Sequence, residues 1–453
     1  MKRHFPGIAV LLFVLGISGA FAADPASSPD FPENISQFPQ SILFADGVTG
    51  DWWGERTKLK DRGIDIFGGY TAEVWGNTTG GMSQGSVYTG LLNFGINLDL
   101  EKAVGWKGAS MRTNWLWLSG SDISQNNIGN FLTVSNIAGF DTLRMFELWF
   151  QQKLFDDKIS LRVGQLGADT EFIISDYGAT FINSTFGWPA FTANNLPNGG
   201  PAYPVGTPGI RLAVNPVDWF TFQTAAFQGN VYAQNVNRYG FRWRLNSANG
   251  YFFINEAQFR WNRRDAETGL PGQFKAGAWF NTEEFTNFYN GNSVYGNYGI
   301  YFIVDQMLWR KPVPPASLAK DGKATADKKE VTAAKSDQGL GWFGRIAFDP
   351  QDRNFVGFYF DTGLTFKGLI PTRDNDIFGV AFAYAQLGQG AQQLAINSGS
   401  VGVGAEMVLE FTYQAQLNKW LSIQPDLQYI INPGGNQNLG NAFVIGGRMS
   451  VAF

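Results

Sequence analysis

The sequence contains no cysteine, so neither a disulfide framework nor thiol chemistry is open to it. Histidine is almost as scarce: the single example, His4, lies in Met1-Lys2-Arg3-His4, ahead of the apolar run Ile8 to Ile17 and the small-residue site Ala20-Phe21-Ala22. A basic start, an apolar stretch too short to span a bilayer and a small-x-small site read as a secretory signal over 1–23. His4 leaves with that signal, which excludes Ser-His-Asp triads, histidine-ligated zinc and histidine general bases. Beyond it there is no run of about 18 apolar residues, so transmembrane helices are excluded. A basic surplus is missing too. Removing Lys2 and Arg3 from the 34 basic residues leaves 32 against 38 acidic ones, a net charge of about -6, and no nucleic-acid partner is indicated.

What remains is rich in Gly (55) and Phe (40), with 15 each of Trp and Tyr. An exported, aromatic, glycine-rich chain without long apolar runs suits a membrane β-barrel, whose hydrophobic signal is spread over alternate residues. The alternation is explicit. Leu92, Phe94, Ile96 and Leu98 face away from Asn93, Gly95, Asn97 and Asp99, and Met407, Leu409, Phe411 and Tyr413 oppose Glu406, Val408, Glu410 and Thr412. About seventeen such segments can be counted from Ile64, including 238–246, where Arg238, Gly240, Arg242 and Arg244 alternate with Tyr239, Phe241, Trp243 and Leu245. Single-chain bacterial barrels have even strand numbers and sixteen strands enclose an aqueous channel. The expectation is therefore an all-β, antiparallel outer-membrane barrel over 64–453, with sixteen strands and eighteen as the alternative count. The pattern is least regular over 273–348. The last segment, Asn441 to Phe453, alternates to its end and is expected to close the barrel on the first strand.

Three stretches break the pattern. Residues 24–63 form a periplasmic lead-in ending in a short helix, for which Asp51 is a capping candidate and Gly63 the stop. Residues 312–338, charged and poor in apolar side chains after their prolines, read as a disordered insertion. Residues 169–208 lack strand pattern yet hold Asp169, Glu171, Asp176, Phe172, Tyr177, Phe181, Phe186, Trp188 and Phe191. A long loop this apolar is expected to fold into the lumen and constrict the channel rather than stand in water.

Strand phase puts Glu73, Arg112, Glu147, Arg162, Arg211, Arg242, Arg244, Glu256, Arg260, Glu406, Glu410 and Arg448 on the lumen side. Guanidinium forks and carboxylates exchange hydrogen bonds with sugar hydroxyls and aromatic faces stack on pyranose rings, so a neutral polyol is a natural ligand; the rival reading is an ion-pair ladder that keeps the wall polar. Mixed charge argues against a dedicated anion channel. Arg112, Glu147, Arg162 and Arg242, beside the 169–208 loop with Asp169 and Glu171, are expected at the narrow zone. No catalytic set, metal ligand or cofactor motif is recognised: Glu283-Glu284 point to opposite faces of a strand, and Gly399 to Gly404 lack the ending of a phosphate loop.

Several segments together resemble the OprB family of carbohydrate-selective porins. They are Trp53-Gly54-Glu55-Arg56 with Gly63-Ile64, Leu161-Arg162-Val163-Gly164-Gln165 with Asp169 and Glu171-Phe172, Phe181-Ile182-Asn183, Gly200-Pro201-Ala202-Tyr203-Pro204, Asp305-Gln306-Met307-Leu308, Lys367-Gly368-Leu369-Ile370-Pro371, and Leu427 through Gly435. The resemblance implies a sixteen-stranded barrel in the outer membrane of a Gram-negative-type bacterium that passes glucose-like sugars by passive or facilitated diffusion, through a constriction of inward loops and charged wall residues. It also implies outer-membrane lipid as surroundings and recognition of the Phe453 strand by the barrel assembly machinery. A non-selective general diffusion porin is the alternative. The 312–338 segment is longer than the family's usual link.

Overall fold

The computed structural model describes residues 47–243, 249–263, 269–312, 336–400 and 402–453. The signal peptide, the lead-in as far as residue 46, Arg244 and almost all of the 312–338 segment lie outside the described residues.

Alternating side chains favour strands, and in a bilayer every backbone group has to be paired internally, which closure into a barrel achieves. Sixteen antiparallel strands form one closed barrel. The first eight are β1 (Ile64–Thr79), β2 (Gly85–Asp99), β3 (Ala109–Gly120), β4 (Thr142–Leu154), β5 (Ile159–Leu166), β6 (Thr207–Val217), β7 (Phe220–Gln228) and β8 (Tyr251–Trp261). The second eight are β9 (Gly272–Thr286), β10 (Ser293–Arg310), β11 (Gly339–Phe348), β12 (Val356–Lys367), β13 (Ile377–Leu387), β14 (Ala405–Asn418), β15 (Leu421–Ile431) and β16 (Ala442–Ala452). Each pairs with its neighbours in sequence, and β16 closes on β1 with Arg448 opposite Glu73. On β16, Phe443, Ile445 and Met449 are exposed outward while Val444, Arg448 and Ser450 are buried inward. Helix α1 (Glu55–Asp61) precedes β1; Asp51 accepts from the Thr57 backbone N–H at 2.9 Å and its hydroxyl at 2.8 Å, and Gly63, at φ 84°, turns the chain into the barrel.

The surplus seventeenth segment is 238–246. The irregular region 273–348 holds three ordinary strands, β9 to β11, whereas 238–243 belongs to the β7–β8 connection. Its alternation has a physical basis. Beyond Leu166 the chain leaves β5 for the interior, so residues 142–147 of β4 lose their partner strand. The gap is filled by this segment: Met145 N–H donates to Tyr239 O at 3.1 Å and the Thr142 hydroxyl to Arg238 O at 3.0 Å. Gln165 Nε2 satisfies the carbonyls of Met145 and Phe146 at 2.9 and 3.1 Å. Glycine is required in the docked segment, because a Cβ on Gly240, at φ 84°, would stand 2.2 Å from Met145 O.

Both β1 and β16 have their outer ends at one rim. Six of the seven connections at that rim have ten residues or fewer, and 155–158, 218–219 and 419–420 have two to four, as on the periplasmic side of outer-membrane barrels. The insertion between β10 and β11 leaves from this same rim. The opposite rim carries the long connections 121–141, 167–206, 229–250 and 388–404. Two of them, 121–141 and 167–206, turn into the barrel and hold each other through Asn136 N–H to Ile182 O at 2.9 Å and Ser184 N–H to Thr133 O at 2.8 Å.

Candidate functional site

The charged side chains that share a face on β3 to β6 meet at the root of the 167–206 loop. Register puts Arg162 of β5 directly opposite Arg211 of β6 and Gln151 of β4 opposite Arg162. Two cations across a strand pair repel, and the loop supplies the counter-charge. Glu171 Oε1 lies 2.9 Å from Arg162 Nη1 and Oε2 lies 2.5 Å from Arg211 Nε. Gln151 Oε1 accepts from Arg162 Nη2 at 2.8 Å and from Arg211 Nη2 at 3.0 Å. The Arg162 guanidinium sits 3.9 Å over the Trp149 ring. Burial works against the charge on Glu171, but Arg162 and Arg211 together outweigh it and hold the carboxyl below its usual range. Beside this cluster, Arg112 lies 3.4 Å from Glu147 Oε2, donates to Asn97 Oδ1 at 2.8 Å and stands 4.3 Å over the Phe67 ring.

Asp169 closes the neck of the same loop. Its Oδ2 accepts from Tyr203 N–H at 2.8 Å, while Ala168 N–H donates to Pro201 O at 2.5 Å, so the two ends of the loop are clasped together. Burial, reinforced by the nearby Glu147 carboxylate, pushes the Asp169 carboxyl up to about 7.

The remaining inward charges fasten the two loops to the wall. Glu406 accepts from Phe131 and Leu132 N–H at 3.0 and 2.6 Å, and Glu410 from Ile182 and Asn183 N–H at 2.6 and 3.0 Å. Glu256 takes Ile173 N–H at 3.0 Å and the Tyr301 hydroxyl at 2.9 Å. Arg448 pairs through Nε with Glu73 Oε1 at 2.7 Å and reaches Asn136 of the 121–141 loop. Arg260 binds Thr221 Oγ1 at 2.8 Å, towards the periplasmic rim. Arg242 departs from the set: it is exposed and lies on the segment that patches β4 rather than on a barrel strand.

A model of the family described as "Carbohydrate-selective porin, OprB family" matches residues 83–453. The chain belongs to this family. It is a sugar-selective channel of the outer membrane, built as an outer-membrane barrel. Porin B of Pseudomonas aeruginosa is 24% identical, with 99% of this chain and 97% of that protein covered. The putative porin QuiX of Acinetobacter baylyi is 22% identical over 90% of this chain and 93% of its own length. Among solved structures, the high-pH form of Pseudomonas putida OprB superposes with a TM-score of 0.76 at 25% identity, covering 90% of this chain and 99% of that one.

This porin also uses residues that the reading of strand phase passed over. Arg345 of β11, opposite Asp361 of β12, pairs with it at 2.5 Å and donates to the carbonyls of Ile173, Thr185 and Gly187 at 3.2, 2.8 and 3.1 Å. Lys275 reaches Ile174 O at 2.6 Å, and Asp305 accepts from the Ser175 hydroxyl at 2.5 Å. The signal for Arg345 was available as an arginine on the same strand face as Phe343 and Ala347, opposite Trp342, Gly344 and Ile346. What it binds was not, since its partners are loop carbonyls some 160 residues away in sequence.

Proposed function

We propose that this porin passes glucose-sized neutral carbohydrates down their gradient, with the 169–208 loop narrowing the channel beside Arg112, Glu147, Arg162, Glu171 and Arg211. The observation that carries the reading is Glu171 held between Arg162 and Arg211, with Arg162 over Trp149. Fixed donors and acceptors alternate there over about the reach of one sugar ring, and an aromatic face lies beneath, which suits a polyol exchanging hydroxyl contacts in passing. Asp169 clasps the loop, and Glu73, Glu256, Arg260 and Arg448 keep the wall polar and the loops seated. As a channel, the protein has no catalytic role in this reading. Its exposed outer face meets outer-membrane lipid, and the β16 strand running to Phe453 serves as the element read by the barrel assembly machinery.

Liposome swelling with glucose, a disaccharide and an amino acid matched to glucose in size is the test. Faster entry of glucose than of the matched amino acid supports the reading. Equal rates for solutes of equal size would leave a general diffusion porin.

A further inference from the structure

Polar side chains on the outer face of the wall are bonded within it at several places. Gln306 of β10 uses both ends of its amide: Oε1 accepts from Trp261 Nε1 at 3.0 Å, and Nε2 donates to Met307 O at 2.8 Å. Thr113 and Thr362 accept the indole N–H groups of Trp115 and Trp342, both at 2.9 Å. Asn255 of β8 differs. Ile254 and Glu256 beside it are buried inward, so Asn255 shares the outer face with Phe253, Ala257 and Phe259, and it is exposed. The Thr224 hydroxyl of β7 donates to Asn255 Oδ1 at 2.7 Å, while Asn255 Nδ2 has no partner among the described residues. Exchanging the two ends of the amide only changes which end is left over, because a hydroxyl both donates and accepts.

The depth of this amide follows from the strand. β8 runs from Tyr251, at the rim of the long connections, to Trp261 at the opposite rim. With strands rising about 3.3 Å per residue and tilted by about 40°, Asn255 lies about 10 Å below Tyr251 and about 15 Å above Trp261. The exposed pairs Tyr251 with Phe253 and Phe259 with Trp261 bracket it as the two aromatic girdles. Asn255 therefore stands near the middle of the hydrocarbon layer, away from water and headgroups, where a half-bonded amide is costly unless another membrane-spanning surface supplies the missing contact. Its neighbours leave it open to one: Asn255 is opposite Ala278 of β9, and Ala257 is opposite Ala276.

We propose that the β7–β9 face of the wall is where two copies of this porin associate about a twofold axis along the membrane normal, Asn255 of each copy bonding Asn255 of the other. Depth and polarity choose a second copy. That axis brings the same residue of both copies to the same depth, and an amide carries a donor and an acceptor, so the two side chains complete each other with a reciprocal pair of N–H···O bonds while each Oδ1 keeps its second lone pair for Thr224. A lipid presents only acyl chain at this depth and offers neither group.

The chain has no cysteine, so A257C introduces a single thiol beside an intact Asn255. Full-length A257C in outer membranes, treated with a short membrane-permeant thiol crosslinker, is expected to give a linked species of twice the monomer mass, and A257C/N255L about tenfold less of it. L409C, outward on β14, is expected to stay unlinked. Sedimentation equilibrium in detergent reads the same association without a crosslinker, and N255L is expected to weaken it about tenfold. Glucose entry per channel should not change in any of these variants, since 255 and 257 face away from the lumen, and heat-modifiable migration shows that each is folded. Absence of a linked A257C species overturns the proposal, as does equal linking of A257C and L409C, which would mark chance collision. A product joining A257C to a different protein would assign the face to another membrane partner and overturn pairing with a second copy. Association undiminished by N255L would remove the amide pair.

Discussion

The side chain on which the site turns is Glu171. It holds two guanidiniums that strand register forces together, so its removal leaves Arg162 and Arg211 facing each other with only Gln151 between them. Breaking a buried pair in this way costs about 3–5 kcal/mol. Glu171→Gln is expected to lower the temperature of heat-modifiable unfolding, to slow glucose entry in swelling assays and to raise anion over cation permeability in planar bilayers. Unchanged ion selectivity would count against Glu171 facing the solute path. Asp169 yields a pH prediction. Its carboxyl is raised from the ordinary 3.8 to about 7, chiefly by burial. A raised carboxyl contributes stability that is complete below about pH 4 and is lost as pH rises through 7. The loop neck is therefore expected to be tightest in acid and to loosen above neutrality. Asp169→Asn, neutral at every pH, should flatten the dependence of unfolding temperature on pH between 5 and 8.5; an unaltered profile would assign that dependence to another group.

Among the elements, the two inward loops are held from the far wall by carboxylates that accept pairs of backbone N–H groups. Glu406 serves the 121–141 loop and Glu410 the 167–206 loop. Leaving a buried donor unsatisfied costs about 1–3 kcal/mol. Glu410→Ala should free the longer loop, raise single-channel conductance and reduce discrimination between monosaccharides and disaccharides. Glu406→Ala should free the shorter loop, and comparing the two variants assigns the narrowing to one or the other. The segment at 238–243 is an element of another kind, a stretch with strand-like alternation recruited as a patch. A valine at Gly240 would meet both an unfavourable φ and the Met145 carbonyl, with backbone strain alone of about 1–3 kcal/mol. Gly240→Val is expected to expose this segment to limited proteolysis while the barrel keeps its heat-modifiable migration.

For the whole molecule, closure of β16 on β1 decides whether there is a channel at all. Phe453 N–H donates to Gly68 O at 2.9 Å and Val48 N–H to Ala452 O at 2.8 Å, so the seam extends past the last strand. Deleting Phe453 should lower the folded fraction without changing the conductance of channels that do form. Arg448→Ala, which strips Glu73 and Asn136 of their partner, should change conductance more than assembly; both are read from bilayer recordings and heat-modifiable yield. The barrel itself was legible because period-two alternation is a local property: the two faces of each strand meet lipid and interior whatever the neighbouring strands do. The same reasoning put Arg112, Glu147, Arg162 and Arg211 on one side of the wall and marked 169–208 as a segment too apolar for water. It misread 238–246 because a strand and a patch on a strand edge share one pattern, and only the inward departure of β5 creates the gap that needs filling. Sequence by itself thus determined the absence of cysteine chemistry, the barrel and the polarity of its two faces, all consequences of composition and short-range alternation. Tertiary structure alone decided which charges meet each other and which fasten loops, because Glu171 reaches Arg211 and Arg345 reaches Thr185 only after closure has brought distant strands around one lumen.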